Sequence, residues 1–441
     1  MTIDNHYSTN AILALDGWLD TMRGPDGYMG PVSHWWQNCL QFTGAGLDWR
    51  YEGIIAGYLN LFKATGDERW LRKARRAGDD LLAGQLENGN FRNSSFELNP
   101  YTGGTPHEAA CAIGLLQLAL ALRKHEDTDW KTYAAAAERN LRQYYIGALW
   151  DSETRWFRDN PNVRSFVPNK SATLSEALFL LTQATDDATF AEQYALPTLD
   201  AVIKHQVHGG SLDGAIYQNS FGTRKVAKFF PYYVARCVPG LVDGFAWSRD
   251  ERYLDAARRA MDFVVRYRYS NGSFPQVVYP NNKVNRYPQW VAGVGDILRA
   301  MAVLRPYGVV ANPEPTLSWM LRGQEQSGGI RTAYGFDVQI SQRTPGIVPD
   351  FRDLLTVCGW ADKAFRYLTQ ELSSNIQLPI RDDNANYDIS ASNLTCVCRD
   401  LRANFREDAN VVELKHRGET LYRWEKGHPW AEVSTREVLW K

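Results

Sequence analysis

Two kinds of apolar pattern alternate along the chain. The first is amphipathic. Residues 67–77 (Asp-Glu-Arg-Trp-Leu-Arg-Lys-Ala-Arg-Arg-Ala) and 250–260 (Asp-Glu-Arg-Tyr-Leu-Asp-Ala-Ala-Arg-Arg-Ala) place apolar side chains at helical spacing. Trp70, Leu71, Ala74, Ala77, Leu81 and Leu82 share one face of the first segment. Tyr253, Leu254, Ala257, Ala260, Met261, Val264 and Val265 share one face of the second. Charge fills the opposite faces, which predicts surface helices. The second kind is apolar on nearly every face, as over 108–120 and 290–301, and predicts buried helices. Buried helices are expected to begin near Asp48, Thr105, Ser171, Lys228, Arg286 and Asp350. Short turns such as Thr65-Gly66-Asp67, Thr185-Asp186-Asp187 and Ser248-Arg249-Asp250 lead back to the exposed helices and end in good N-cap residues.

A loop signature follows each exposed helix: a long polar residue, three residues, Gly, one residue, then a large apolar side chain. It reads Arg23…Gly27-x-Met29, Gln85…Gly89-x-Phe91, Gln206…Gly210-x-Leu212, Arg268…Gly272-x-Phe274 and Gln324…Gly328-x-Ile330, with a degenerate copy at Asp151…Arg155-x-Phe157. The glycine is expected at positive φ just past a helix end, and the apolar residue to plug the core. Recurrence about every sixty residues marks a repeat architecture. The count is six exposed and six buried helices. An open array needs polar caps at both ends, whereas a ring needs none. The first exposed helix, near 9–23, and the last buried one, near 350–371, would close it. The fold class is therefore mainly α, an (α/α)6 toroid of six helical hairpins.

The tail changes period. From Tyr387 onward, and most clearly over 411–424, apolar and polar residues alternate, with Arg417-Gly418 at a hairpin position. Two to four antiparallel strands packed on the toroid are expected. The reading divides the chain into a catalytic toroid at 1–375 and a short C-terminal antiparallel β-rich segment at 376–441.

The length of 441 residues suggests about three domains, a prior that the repeat displaces. A net charge of −1 argues against nucleic acid or a polybasic membrane surface as partner. No apolar run is long enough to span a bilayer. The N-terminus lacks a basic and an apolar region, so no secretory signal is inferred and a cytoplasmic location is expected. Six scattered cysteines (Cys39, Cys111, Cys237, Cys358, Cys396 and Cys398) are then expected to be reduced. Cys396-x-Cys398 lacks zinc-knuckle spacing, and His205 and His208 lack a third ligand, so neither metal nor cofactor is expected.

The six-fold alternation and the glycine–aromatic loops resemble the (α/α)6-toroid carbohydrate-active enzymes over about residues 9–371, without matching one family. The resemblance implies a glycoside hydrolase, polysaccharide lyase or sugar epimerase. The Gln-x3-Gly-x-Phe loop also resembles the repeat of terpenoid cyclases, whose Asp-x-Asp-Asp motif is absent here. The lanthionine-cyclase pattern fails as well, because Cys358-Gly359-Trp360 has no adjacent His.

The long links enter the buried helices, so function is expected at the end where those helices start. Free N–H groups there favour an anion. Arg50, His107, Lys170, Lys228, Arg286 and Arg352 each lie near one such start. Trp35, Trp36, Trp49, Tyr51, Tyr101, Tyr232, Tyr233, Tyr287 and Trp290 lie alongside as sugar-stacking candidates. Together they point to an anionic, uronate-containing saccharide. Glu52, Glu108 and Asp353 are the candidate hydrolytic carboxylates, since glycoside hydrolysis needs one protonated and one ionised carboxyl. β-Elimination is the rival chemistry, with His107, Tyr51 and Tyr232 as proton carriers and Asn169, Asn285 and Arg286 available to the uronate. A non-catalytic glycan-binding toroid and a terpenoid-cyclase-like enzyme are further alternatives. Local ion pairing of the cations with Asp48, Glu52, Asp350 or Asp353 is the competing structural role.

Overall fold

The computed structural model describes residues 5–372 except 22, 25–26, 29, 34–38, 44–46, 93–108, 160, 310, 325–327 and 336–357, together with the strand backbones at 394–398, 401–405, 411–416, 419–425 and 430–434. Among the described residues, twelve α-helices alternate between two layers. The outer layer holds α1 (Asn5–Thr21), α3 (Glu68–Ala83), α5 (Trp130–Arg139), α7 (Leu196–Lys204), α9 (Glu251–Arg266) and α11 (Glu314–Leu321). The inner layer holds α2 (Arg50–Thr65), α4 (Ala109–Lys124), α6 (Pro168–Thr185), α8 (Pro231–Ser248), α10 (Val294–Leu304) and α12 (Cys358–Gln370). Each inner helix packs on the next, and α12 packs on both α2 and α1. The ring is closed, and the chain has the (α/α)6 toroid fold.

The two patterns sort as their burial requires. On α3, Trp70, Leu71, Ala74, Ala77 and Leu81 are buried, and on α9 so are Tyr253, Leu254, Ala257, Ala260, Met261 and Val264. The inner helices are buried along nearly their whole length. The short turns reverse the chain by one device. Gly66, Asp186 and Arg249 take left-handed conformations just past the inner helices. Asp67 and Asp250 then accept the backbone N–H two residues on, capping α3 and α9.

The loop signature acts as a stitch between neighbouring outer helices. Gln85 Nε2 donates to Gly89 O and, across the interface, to Ala136 O of α5 at 2.8 Å. Gln324 Nε2 repeats this with Gly328 O and with Ala11 O of α1, both at 2.9 Å, and so joins the last hairpin to the first. Gly272 shows why glycine is needed. Its φ is +90°, and a Cβ there would lie 1.8 Å from Pro315 O on α11. Phe91, Phe157, Phe274 and Ile330 are buried plugs, as expected. Arg155, in the degenerate copy, takes φ +56° without a glycine.

Two loops correct the expected register. After α7, Gln206 pairs with Ile216 and bonds Gly214 O, so the plug is Ile216 rather than Leu212. Gly209 and Gly210 turn within the longer loop. After α1, Arg23 pairs with Tyr28, which is buried, while Met29 lies outside the described residues. The start of α10 is also displaced. It begins at Val294, not near Arg286, because 284–285 and 289–290 pair as short strands. Similarly α12 begins at Cys358 rather than near Asp350.

The tail forms strands Leu394–Cys398, Leu401–Phe405, Val411–His416 and Glu419–Glu425 in one antiparallel sheet in sequence order. His416 pairs with Glu419, leaving two residues for the hairpin; Arg417 and Gly418 themselves lie outside the described residues. A fifth strand, Trp430–Ser434, pairs with Cys39–Thr43 from the loop ahead of α2, tying the tail to the toroid.

Candidate active site

The inner helices are largely apolar, yet five of them send ionisable groups to the ring's axis. Glu52 (α2), Glu176 (α6), Asp296 (α10) and Asp362 (α12) meet Arg236 (α8), Arg299 (α10), Lys363 and Arg366 (α12). Burying ionised groups is expensive unless they are paired, and each of these is. Arg236 Nη2 reaches Glu52 Oε2 at 2.7 Å, and Arg366 bonds the other oxygen of Glu52. Lys363 Nζ lies 3.8 Å and Arg299 Nη1 3.9 Å from the same carboxylate. Arg299 also holds Glu176 at 2.6 Å, and Arg366 also holds Asp296. Lys363 Nζ lies 3.0 Å from Asp362 Oδ2.

This charge column divides the titration of its acids. Burial pushes the Glu52 carboxyl up, but Arg236, Arg366, Lys363 and Arg299 together overcome that and hold it well below the usual carboxylate range. Asp296 is likewise held at about 2, because Arg366, Arg236 and Lys363 outweigh its burial. Asp362 behaves oppositely: burial dominates, Lys363 and Arg366 only partly offset it, and its carboxyl rises to about 7. Asp243, two turns beyond Arg236 on α8, also rises to about 7 through burial and the nearby Glu176.

Aromatic rings cover the column at the end where the inner helices start. Trp290, ahead of α10, and Trp360, on the first turn of α12, stack in parallel with centroids 4.9 Å apart and planes 2° apart. Tyr232, on the first turn of α8, tilts against Trp360 at 4.9 Å. Its hydroxyl donates to Asp296 Oδ2 at 3.0 Å. Burial first, and then Asp296, raises its ionisation well above the ordinary tyrosine value. Tyr232 is therefore a protonated donor at neutral pH, not a base. Lys363 Nζ donates to the Trp49 carbonyl at 3.4 Å, joining the α2 entrance to the same group.

Of the residues singled out in the sequence, Glu52, Tyr232, Trp49 and Trp290 come together here. Tyr51 faces outward instead: its hydroxyl donates to Asp80 of α3 at 3.1 Å and accepts from Tyr28 N. Arg50 is buried and forks onto Asp48 at 2.8 and 2.9 Å. Lys170 pairs with Asp159 at 3.0 Å. Lys228 and Arg286 are exposed and form no ion pair among the described residues. Arg286 lies over Tyr269 and Tyr287 at 5.2 and 5.3 Å. Tyr233 packs on Tyr232 and Phe230. Asn169 is buried on the first turn of α6, and Asn285 donates to Gln276 Oε1. His107, Glu108, Arg352, Asp353, Trp35, Trp36 and Tyr101 lie outside the described residues.

The histidines after α7 have local partners. His205 bonds Ala201 O and Ser220 Oγ, and burial lowers it to about 4, while His208 contacts Arg259. Among the described residues no cluster of His, Cys, Asp or Glu is arranged to hold a metal. No helix among them is long and apolar enough to cross a membrane. Cys111 and Cys237 are buried free thiols.

Comparison with known proteins agrees on the architecture. A family model described as pectic acid lyase matches residues 238–333, less than a quarter of the chain. No curated protein matches the sequence. Among solved structures, an unsaturated glucuronyl hydrolase from Bacillus sp. GL1 superposes with a TM-score of 0.58 at 14% identity, covering 83% of this chain and 96% of that one. A sugar epimerase from a ruminal bacterium gives 0.59 at 14% identity, covering 82% and 97%. A possible GH105 member from Klebsiella pneumoniae gives 0.60 at 10% identity, covering 84% and 94%.

Proposed function

We propose that the protein is a carbohydrate-active enzyme that hydrolyses an anionic, uronate-containing oligosaccharide where the inner helices begin. The observation that carries this reading is the split carboxyl pair under an aromatic wall. Glu52 is held ionised while Asp362, on the neighbouring helix, stays protonated up to about pH 7, and both contact Lys363. Hydrolysis of a glycosidic bond needs that division of roles. Trp290, Trp360 and Tyr232 supply apolar ring surface of the kind that lines small-molecule sites. In this reading Glu108 and Asp353, both outside the described residues, are the further candidate carboxyls. Arg286 and Lys228, exposed and unpaired among the described residues, meet the uronate carboxylate. The glucuronyl hydrolases among the structural neighbours support an anionic sugar.

A second reading, β-elimination, is favoured by the pectic acid lyase match, which spans Arg286, Tyr287 and Trp290. One experiment separates the two. The protein is incubated with saturated uronate oligosaccharides and with oligosaccharides ending in an unsaturated uronate. Hydrolysis releases reducing ends with no new ultraviolet absorbance, or removes the absorbance of the unsaturated residue. New absorbance from the saturated substrate moves the assignment to a lyase. No product from either, with saturable binding retained, leaves a glycan-binding toroid.

A further inference from the structure

The opposite end of the ring holds a second cavity. It measures about 630 Å³ and lies among the C-terminal halves of α2, α4, α10 and α12, within the size range of small-molecule sites. Its charged lining is cationic: Lys63, Lys124, Arg299 and Arg366. No Asp or Glu lines it among the described residues. Helix C-termini carry negative partial charge, so Lys63 and Lys124, each in a last turn, complement it. That role leaves other groups unused. Lys63 and Lys124 form no ion pair or hydrogen bond among the described residues. The side-chain amide of Gln117 on the cavity wall makes no hydrogen bond either, and its Oε1 is buried. Arg366, 2% exposed, keeps its Nε–H without a partner. Leu59, Phe62 and Val303 give the wall apolar surface beside the amides of Asn60 and Gln370.

We infer that this cavity is a binding site for a small organic phosphate, separate from the aromatic entrance. Ammonium groups are point-charge phosphate donors, and a phosphomonoester carries close to two negative charges at neutral pH. The two lysines at the rim meet that charge, the buried Oε1 of Gln117 accepts from a hydroxyl of the organic body, and the apolar wall receives the rest of that body. A bare inorganic anion would leave that wall unused. The site also touches the axis from behind, since Arg366 and Arg299 line it and also hold Glu52 and Glu176.

Isothermal titration of the full chain tests this with glucose 6-phosphate, inorganic phosphate and glucose as probes. Saturable binding of glucose 6-phosphate is expected, at least tenfold tighter than inorganic phosphate, with none for glucose. The double variant Lys63→Ala/Lys124→Ala changes only exposed side chains and should weaken binding at least tenfold while its melting temperature without ligand falls by no more than ~2 °C. Absence of saturable binding to the native chain overturns the site. So does binding that the double variant retains in full. Equal affinity for inorganic phosphate overturns the organic class of ligand.

Discussion

Replacing Glu52 by Gln tests whether the axial charges hold the ring together. The substitution keeps the side-chain volume and removes one negative charge facing Arg236, Arg366, Lys363 and Arg299. Breaking a buried pair by removing one partner costs about 3–5 kcal/mol. The lower part of that range applies, because the arginines keep other ionised acids. Arg236 retains Glu176 at 3.5 Å, Arg299 retains Glu176 at 2.6 Å, and Arg366 retains Asp296. At ~2.1 cal/mol/K of unfolding entropy per residue over 441 residues, the expected fall in melting temperature is ~3–4 °C. The sign with pH is fixed. The folded value of Glu52 lies below its unfolded value of ~4.3, so its contribution is fully present above about pH 5 and is lost as pH falls through the folded value. Calorimetry from pH 4 to pH 8 should show a gap between wild type and variant that is constant above pH 6 and narrows toward acid. A variant as stable as wild type at pH 7 would refute the argument that this charge is structurally coupled.

Asp362→Asn should act in the opposite sense. Between about pH 4 and 7 the folded chain keeps a proton on Asp362 that the unfolded chain has released. Its stability therefore falls across that window, by roughly 4 kcal/mol for a shift of about three units. Denaturant melts at pH 5 and pH 8 should show less loss in the variant and a more stable variant at pH 8. Gly272→Ala meets both a φ of +90° and the Pro315 carbonyl, and should destabilise by about 3 kcal/mol or more. Gly209→Ala has a φ of +80° but open space, and should cost only ~1 kcal/mol in the same melts. Gln324→Ala removes the donor shared by Ala11 O and Gly328 O. A loss of about 1–3 kcal/mol is expected, with hydrogen exchange in α1 rising more than in α5; equal rises would mean that the stitch is not local.

The ring was legible in the sequence because its signals are local. Helical spacing on α3 and α9, capping Asp67 and Asp250, and a glycine forced by positive φ are all read within a dozen residues. The same locality misled at the loop after α7, where Gly210 and Gly214 are both available and only the pairing of Gln206 with Ile216 decides. The charge column was harder to read because its partners are far apart in the chain. Arg236 lies 184 residues from Glu52, and Arg366 lies 314. One signal was present: Arg236, Asp296, Arg299, Lys363 and Arg366 interrupt helices otherwise apolar all round, where a charge needs a partner. The cations near helix starts, such as Arg50 and Lys170, are more conspicuous in the sequence but sit beside their own acids, Asp48 and Asp159.

Closure by the Gln324–Ala11 stitch and the packing of α12 on α2 alters how the molecule can come apart. An open array of hairpins frays from its terminal units, each held by one neighbour. Here every inner helix has two, so six interfaces join six hairpins and none is terminal. Displacing any hairpin opens two interfaces and exposes the axial charges to water. Unfolding is thereby concerted around the circle, and the junction of α12 with α1 and α2 is one interface among six rather than a weak seam.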